Sequence, residues 1–133
     1  MNPETDFSLR SFLGGYDKSF TYLITCSRTG TQAIVDAAID TNKINRFLRN
    51  DPVAILITHG HSDHIAYLDN YVKEYPGATI VGHPDSKLKE GYPNFKKVDD
   101  YQEFIIGEMR FKCFHTPGHY FDSICYHISP VLF

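Results

Sequence analysis

The chain lacks most of the features that mark membrane proteins, nucleic-acid binders and disulfide scaffolds. No apolar run reaches the roughly 18 residues a membrane span needs, and Met1-Asn2-Pro3-Glu4-Thr5-Asp6 carries no signal-peptide pattern. No membrane partner is therefore expected. Lys and Arg number 13 against 16 Asp and Glu, for a net charge of −3, and no Lys/Arg-rich run occurs. The electrostatic footprint for nucleic acid is missing. The three cysteines, Cys26, Cys113 and Cys125, are an odd number without a Cys-x-x-Cys pair. They read as buried free thiols and point to a reducing, cytoplasmic location. A Gly-x-Ser-x-Gly elbow is absent, which disfavours a Ser/His/Asp nucleophile. There is no internal repeat and no low-complexity segment. What remains is the composition of a single soluble domain of 133 residues, 42% hydrophobic and 22% charged.

Within that ordinary background, histidine is concentrated. Thr58-His59-Gly60-His61-Ser62-Asp63-His64 follows directly on the apolar run Val53-Ala54-Ile55-Leu56-Ile57. Three imidazoles and a carboxylate at the mouth of a buried strand suit a metal, because imidazole and carboxylate are the usual ligands of zinc and non-haem iron. His59 and His61 are two apart, so in an extended segment their rings share a side. Gly60 between them lets the backbone bend close to an ion. Ser62 is placed to cap a helix that opens with Asp63 and His64 and continues to about Glu74. Two groups of ligands on one strand-to-helix turn favour two adjacent metal positions over one. A second segment, His115-Thr116-Pro117-Gly118-His119, follows the alternating run Met109 to Phe114. Its Pro-Gly turn presents His119, which with the first motif supplies a further imidazole.

Taken together, the two segments resemble the metallo-β-lactamase superfamily, and within it the glyoxalase II-like thioester hydrolases. The resemblance covers roughly residues 16 to 133 and includes Phe20 to Ile24 and Ala33 to Asp36, similar to the family's early strands and first aspartate. It implies that His59, His61 and His119 hold one metal and that Asp63 and His64 hold the other. Asp36 becomes a supporting residue near the metal loop, and His115 is not a ligand. The implied cofactor is zinc, two ions in the complete protein, with iron or manganese as alternatives. Members of the family continue into a Thr-Gly-Asp turn whose aspartate bridges the metals, whereas this sequence stops at Phe133. It therefore reads as one domain, 1–133, corresponding to the N-terminal half of an αβ/βα sandwich. The expected fold is α/β (α+β), a mixed sheet with helices on one face. The sheet's other face is expected to be uncovered, at a cost on the order of ten kcal/mol at about 25 cal/mol per Å². Self-association or a missing C-terminal half is the corresponding partner expectation.

The chemistry implied is metal-assisted hydrolysis. A divalent ion lowers the pKa of its bound water from 15.7 to about 7, which supplies hydroxide at neutral pH, and Asp63 is placed to orient that water. The expected substrate is a small-molecule thioester or ester such as hydroxyacylglutathione. Two alternatives stay open: an iron-dependent glutathione persulfide (sulfur) dioxygenase, and a non-catalytic fragment binding at most one metal through His59, His61 and His119.

Patterning predicts strands over 7–13, 20–26, 31–36, 53–58, 78–82, 103–106, 109–115 and 123–129. Hairpins are expected around 27–30 and around Gly107-Glu108, with a turn at Gly14-Gly15. A helix capped by Thr41 runs through Ile44, Phe47 and Leu48; residues 84–93 read as loop. His83 and His127 read as ordinary packed or surface histidines.

Overall fold

The computed structural model describes residues 7–13, 20–58, 65, 67–84, 86, 88–116, 123–129 and 131–133. The Gly14-Gly15 turn, the Ser62 cap, the Pro117-Gly118 turn and all five expected metal ligands lie outside these residues.

Among the described residues ten strands form two sheets. The first has the order β1-β2-β3-β4-β5-β6, with β1 Phe7–Leu13, β2 Phe20–Cys26, β3 Gln32–Val35, β4 Ala54–Leu56, β5 Thr79–Gly82 and β6 Phe95–Lys97. β1, β2 and β3 pair antiparallel, while β3 to β6 run parallel, with Val35 opposite Leu56 and Leu56 opposite Val81. The second sheet has the order β10-β9-β8-β7, all antiparallel, from β7 Glu103–Ile106, β8 Met109–His115, β9 Ile124–Ile128 and β10 Val131–Leu132.

The parallel strands β3, β4 and β5 are largely apolar without alternation because both of their faces are covered, whereas the edge strand β6 carries exposed Lys96 and Lys97. Ala33, Val35, Ala54, Leu56 and Val81 point into a core shared with Met109, Phe111, Cys113, Ile124, Tyr126 and Ile128 of the second sheet. Ile34, Ile55, Ile57 and Ile80 point the other way, onto Ile44, Leu68, Tyr71 and Tyr75 of the helical layer. The second sheet alternates as a half-buried sheet should: Met109, Phe111 and Cys113 are buried while Arg110 is exposed.

Helices on one face of a mixed sheet were expected and are present. The opposite face is not bare, however. The chain's own four-stranded sheet covers it, because the segments read as a hairpin plus one strand join through β9 and gain β10. Helical boundaries also differ. In α1 (Thr41–Ile44) the cap is Asp40, whose Oδ1 accepts from the Asn42 amide at 3.1 Å, and a 3₁₀ turn follows over Asn45–Phe47. α2 spans Leu68–Glu74. Ile65 and Tyr67 lie outside it, and the Tyr67 amide donates to Ala37 O at 2.9 Å, so tertiary bonding replaces the early start expected from periodicity. Residues 84–93, read as loop, hold a one-turn α3 at Leu88–Gly91. Among the described residues no helix is long and apolar enough to cross a membrane.

Candidate metal centre

Parallel pairing has a geometric consequence for the site. The carboxyl ends of β3, β4, β5 and β6 share one edge, where ligands bind in open α/β sheets. Asp36, Thr58, His83 and Val98 follow those four strands in turn.

Asp36 leaves β3 in the left-handed region, φ 63°, a conformation Asp tolerates better than most residues. Its carboxylate is buried, 2% exposed, and its amide donates to Leu56 O at 2.8 Å. Oδ1 accepts the Thr58 amide at 2.9 Å and Oδ2 accepts the Thr58 hydroxyl at 2.8 Å. The root of the 59–64 segment is thus gripped from the neighbouring strand. The family resemblance implied a supporting role for Asp36 near this loop, and the two bonds to Thr58 are where the structure ties it to the loop's root.

The second segment starts from the same place. The Ile124 amide donates to Thr58 O at 2.7 Å, and the Thr116 amide donates to Ser123 O at 3.0 Å. The first bond joins the start of β9 to the end of β4, and the second closes the ends of the 117–122 segment on each other. Beneath them the Tyr126 hydroxyl donates to Ile57 O at 2.7 Å and Val81 O at 3.2 Å. Burial pushes this phenol well above its ordinary range, so it stays protonated and remains a donor. The two histidine-bearing segments therefore leave the core from roots that are hydrogen-bonded to one another.

His59, His61, Asp63, His64 and His119 themselves lie outside the described residues. Among the described residues no group of three or more His, Cys, Asp or Glu could hold a metal ion. By donor chemistry the five fit one well: imidazoles and a carboxylate suit zinc, and iron or manganese can take the same donors. Sequence reasoning missed the surroundings of His115 at the second root. Its amide donates to Asp100 Oδ1 at 2.8 Å, its Nε2 lies 3.0 Å from Val98 O, and its ring is 4.4 Å from that of His83. No periodicity joins residues 83, 98, 100 and 115, so no local signal could have revealed this.

A family model for the metallo-beta-lactamase superfamily matches residues 14–130. The chain belongs to the metallo-beta-lactamase superfamily. Members of this superfamily are metal-dependent hydrolases, typically of zinc. A probable hydroxyacylglutathione hydrolase of Schizosaccharomyces pombe is 34% identical over 120 residues, covering 85% of this chain and 44% of its own length. A probable polyketide biosynthesis zinc-dependent hydrolase of Bacillus subtilis is 28% identical over 123 residues, covering 86% and 53% respectively. The chain thus spans about half the length of these relatives. In three dimensions it is similar to ETHE1 from Myxococcus xanthus, with a TM-score of 0.73 at 24% identity, covering 94% of this chain and 55% of that one. At that identity the likeness concerns the metallo-beta-lactamase fold alone.

Proposed function

We propose that the protein is a metal-dependent thioester hydrolase acting on a small substrate such as hydroxyacylglutathione, and that this chain forms the N-terminal half of its catalytic domain. The observation that carries the proposal is the 2.7 Å bond from the Ile124 amide to Thr58 O, which ties together the roots of the two histidine-bearing segments. The S. pombe relative, by its name, acts on this substrate class.

In this reading His59, His61 and His119 hold one zinc ion, and Asp63 and His64 hold a second. When bound, the metal lowers the pKa of a water toward neutrality and polarises the scissile carbonyl. The Asp63 carboxylate, acceptor-only when ionised, orients the attacking water. Asp36 keeps Thr58 in place without touching substrate. Water adds to the acyl carbon, the carbon–sulfur bond breaks, and the acid and the thiol leave. The further half that the relatives' length includes completes the unit. A cytoplasmic location accords with the free thiols Cys26, Cys113 and Cys125.

The test is zinc content of purified protein together with loss of thioester absorbance on S-lactoylglutathione. Zinc retained by the wild-type chain and lost on His59→Ala or His119→Ala supports the reading. Wild-type protein that holds no zinc sinks it, and iron with oxygen consumption on glutathione persulfide replaces it with the dioxygenase.

A further inference from the structure

The second root carries a histidine that the proposed chemistry does not use. His115 ends β8, four positions before His119, and it is attached at three points. Its main-chain N–H donates to the Asp100 carboxylate at 2.8 Å. Its Nε2 lies 3.0 Å from the carbonyl oxygen of Val98, which can only accept, so the proton is on Nε2. Its ring packs on the ring of His83, centroids 4.4 Å apart and planes tilted by 41°. Val98 is 1% exposed and His83 is 8% exposed, so both supports belong to the packed core at the ends of β5 and β6.

The first root is held in a parallel way. There Asp36 grips the main-chain amide of Thr58; here Asp100 grips that of His115. In both cases a carboxylate from a neighbouring connection fixes the amide at the point where a histidine-bearing segment begins or is about to begin. At the second root the imidazole adds a further tie to the sheet edge. A histidine serving only to fill space would not need the Nε2 bond. A metal site at the pair is disfavoured, because His115 Nε2 is committed to Val98 O and no third donor joins it among the described residues.

We propose that His115, held between the Val98 carbonyl and the ring of His83, is a positioning residue that fixes where the 117–122 segment leaves β8 and thereby sets how tightly His119 can hold a metal. The second clause rests on the reading of His119 as a ligand. Residues that orient ligands from behind typically alter metal affinity by about 10–100-fold when replaced.

The experiment compares the full wild-type chain with His115→Leu, which keeps volume but has no donor, and His115→Gln, whose amide nitrogen can replace Nε2 toward Val98 O. Zinc affinity is read by competition with a chromophoric chelator. Hydrogen exchange at the Thr116 and Ile124 amides is read on metal-free protein. His115→Leu is expected to weaken zinc by about 10–100-fold and to speed exchange at both amides, and His115→Gln to recover most of both losses. Wild-type zinc affinity and exchange in His115→Leu would overturn the proposal, as would a Gln variant as impaired as the Leu one. If the wild-type chain holds no zinc, the ligand reading fails by itself. The metal-free exchange data then still decide whether His115 fixes this root.

Discussion

The Asp36 carboxylate takes both the amide and the hydroxyl of Thr58. Asp36→Ala removes both acceptors and leaves an alanine in a left-handed conformation. The loss is expected at about 2–5 kcal/mol, from unsatisfied buried donors plus backbone strain. Asp36→Asn keeps one acceptor and tolerates positive φ, so urea unfolding should place it well above the alanine variant. Gly107 poses the opposite problem. It opens the β7–β8 turn at φ 62°, as a glycine can at the first central position of a two-residue hairpin. A Cβ there would lie 2.5 Å from Thr29 Oγ1 and 3.1 Å from Thr31 Cβ. Thr29 Oγ1 cannot move away cheaply, since it is bonded to both the Thr31 hydroxyl and the Thr31 amide. Gly107→Ala should therefore cost about 1–3 kcal/mol. Because part of this is overlap with the threonine, a double-mutant cycle with Thr29→Ala should recover some of it.

At the scale of elements, the six-stranded sheet is held to the four-stranded one at the site end by Tyr126. This residue of β9 reaches across the core to the carbonyls of Ile57 and Val81, just past β4 and within β5. Tyr126→Phe keeps the ring packing and removes only the hydroxyl. Its expected cost is about 1–3 kcal/mol, because two buried carbonyls lose a partner. Hydrogen exchange should report more frequent opening where β9 meets β4, at Ile124, than at the distant β1–β2 hairpin. Equal protection at both places would show that the phenol does not couple the sheets. The short α2 obeys the same tertiary control: the Tyr71 hydroxyl donates to Ile39 O at 2.7 Å, which docks the helix to the β3–α1 connection.

The molecule as a whole should be sensitive to alkali. Burial pushes the Cys113 thiol from its ordinary 9.0 up to about 12 and the Tyr75 phenol from 10.0 up to about 12. Tyr71 and Tyr126 are raised for the same reason. Above pH 9 the unfolded chain gives up protons that the folded chain retains. The folded state then binds more protons, and stability falls as pH rises. The full contribution is present below pH 9 and is lost between about 9 and 12. Melting temperature should accordingly be flat on the acid side of that window and decline within it. Cys113→Ala should delay the onset of the decline, and an unchanged onset would assign it to the tyrosines alone.

The linear order of residues was enough for most of the strands and for the family. Buried parallel strands need unbroken apolar runs and half-buried strands need alternation, so β3 to β5 and β7 to β9 could be read directly. The His59 to His64 motif and His119 stood out in the sequence because such a density and spacing of imidazoles is rare outside metal-binding segments. Tertiary structure decided what depends on distant partners. β6 and β10 are too short to carry a period of their own and exist through pairing with β5 and β9. α2 begins late because Ala37 takes the Tyr67 amide. The covered second face of the large sheet follows from four strands joining, which no single segment announces. The grip of Asp36 on Thr58 and of Asp100, Val98 and His83 on His115 exists only once parallel pairing brings the strand ends to one edge. Local patterning encodes which face of a segment is apolar, whereas hydrogen bonds between residues far apart in sequence form only after those faces have packed.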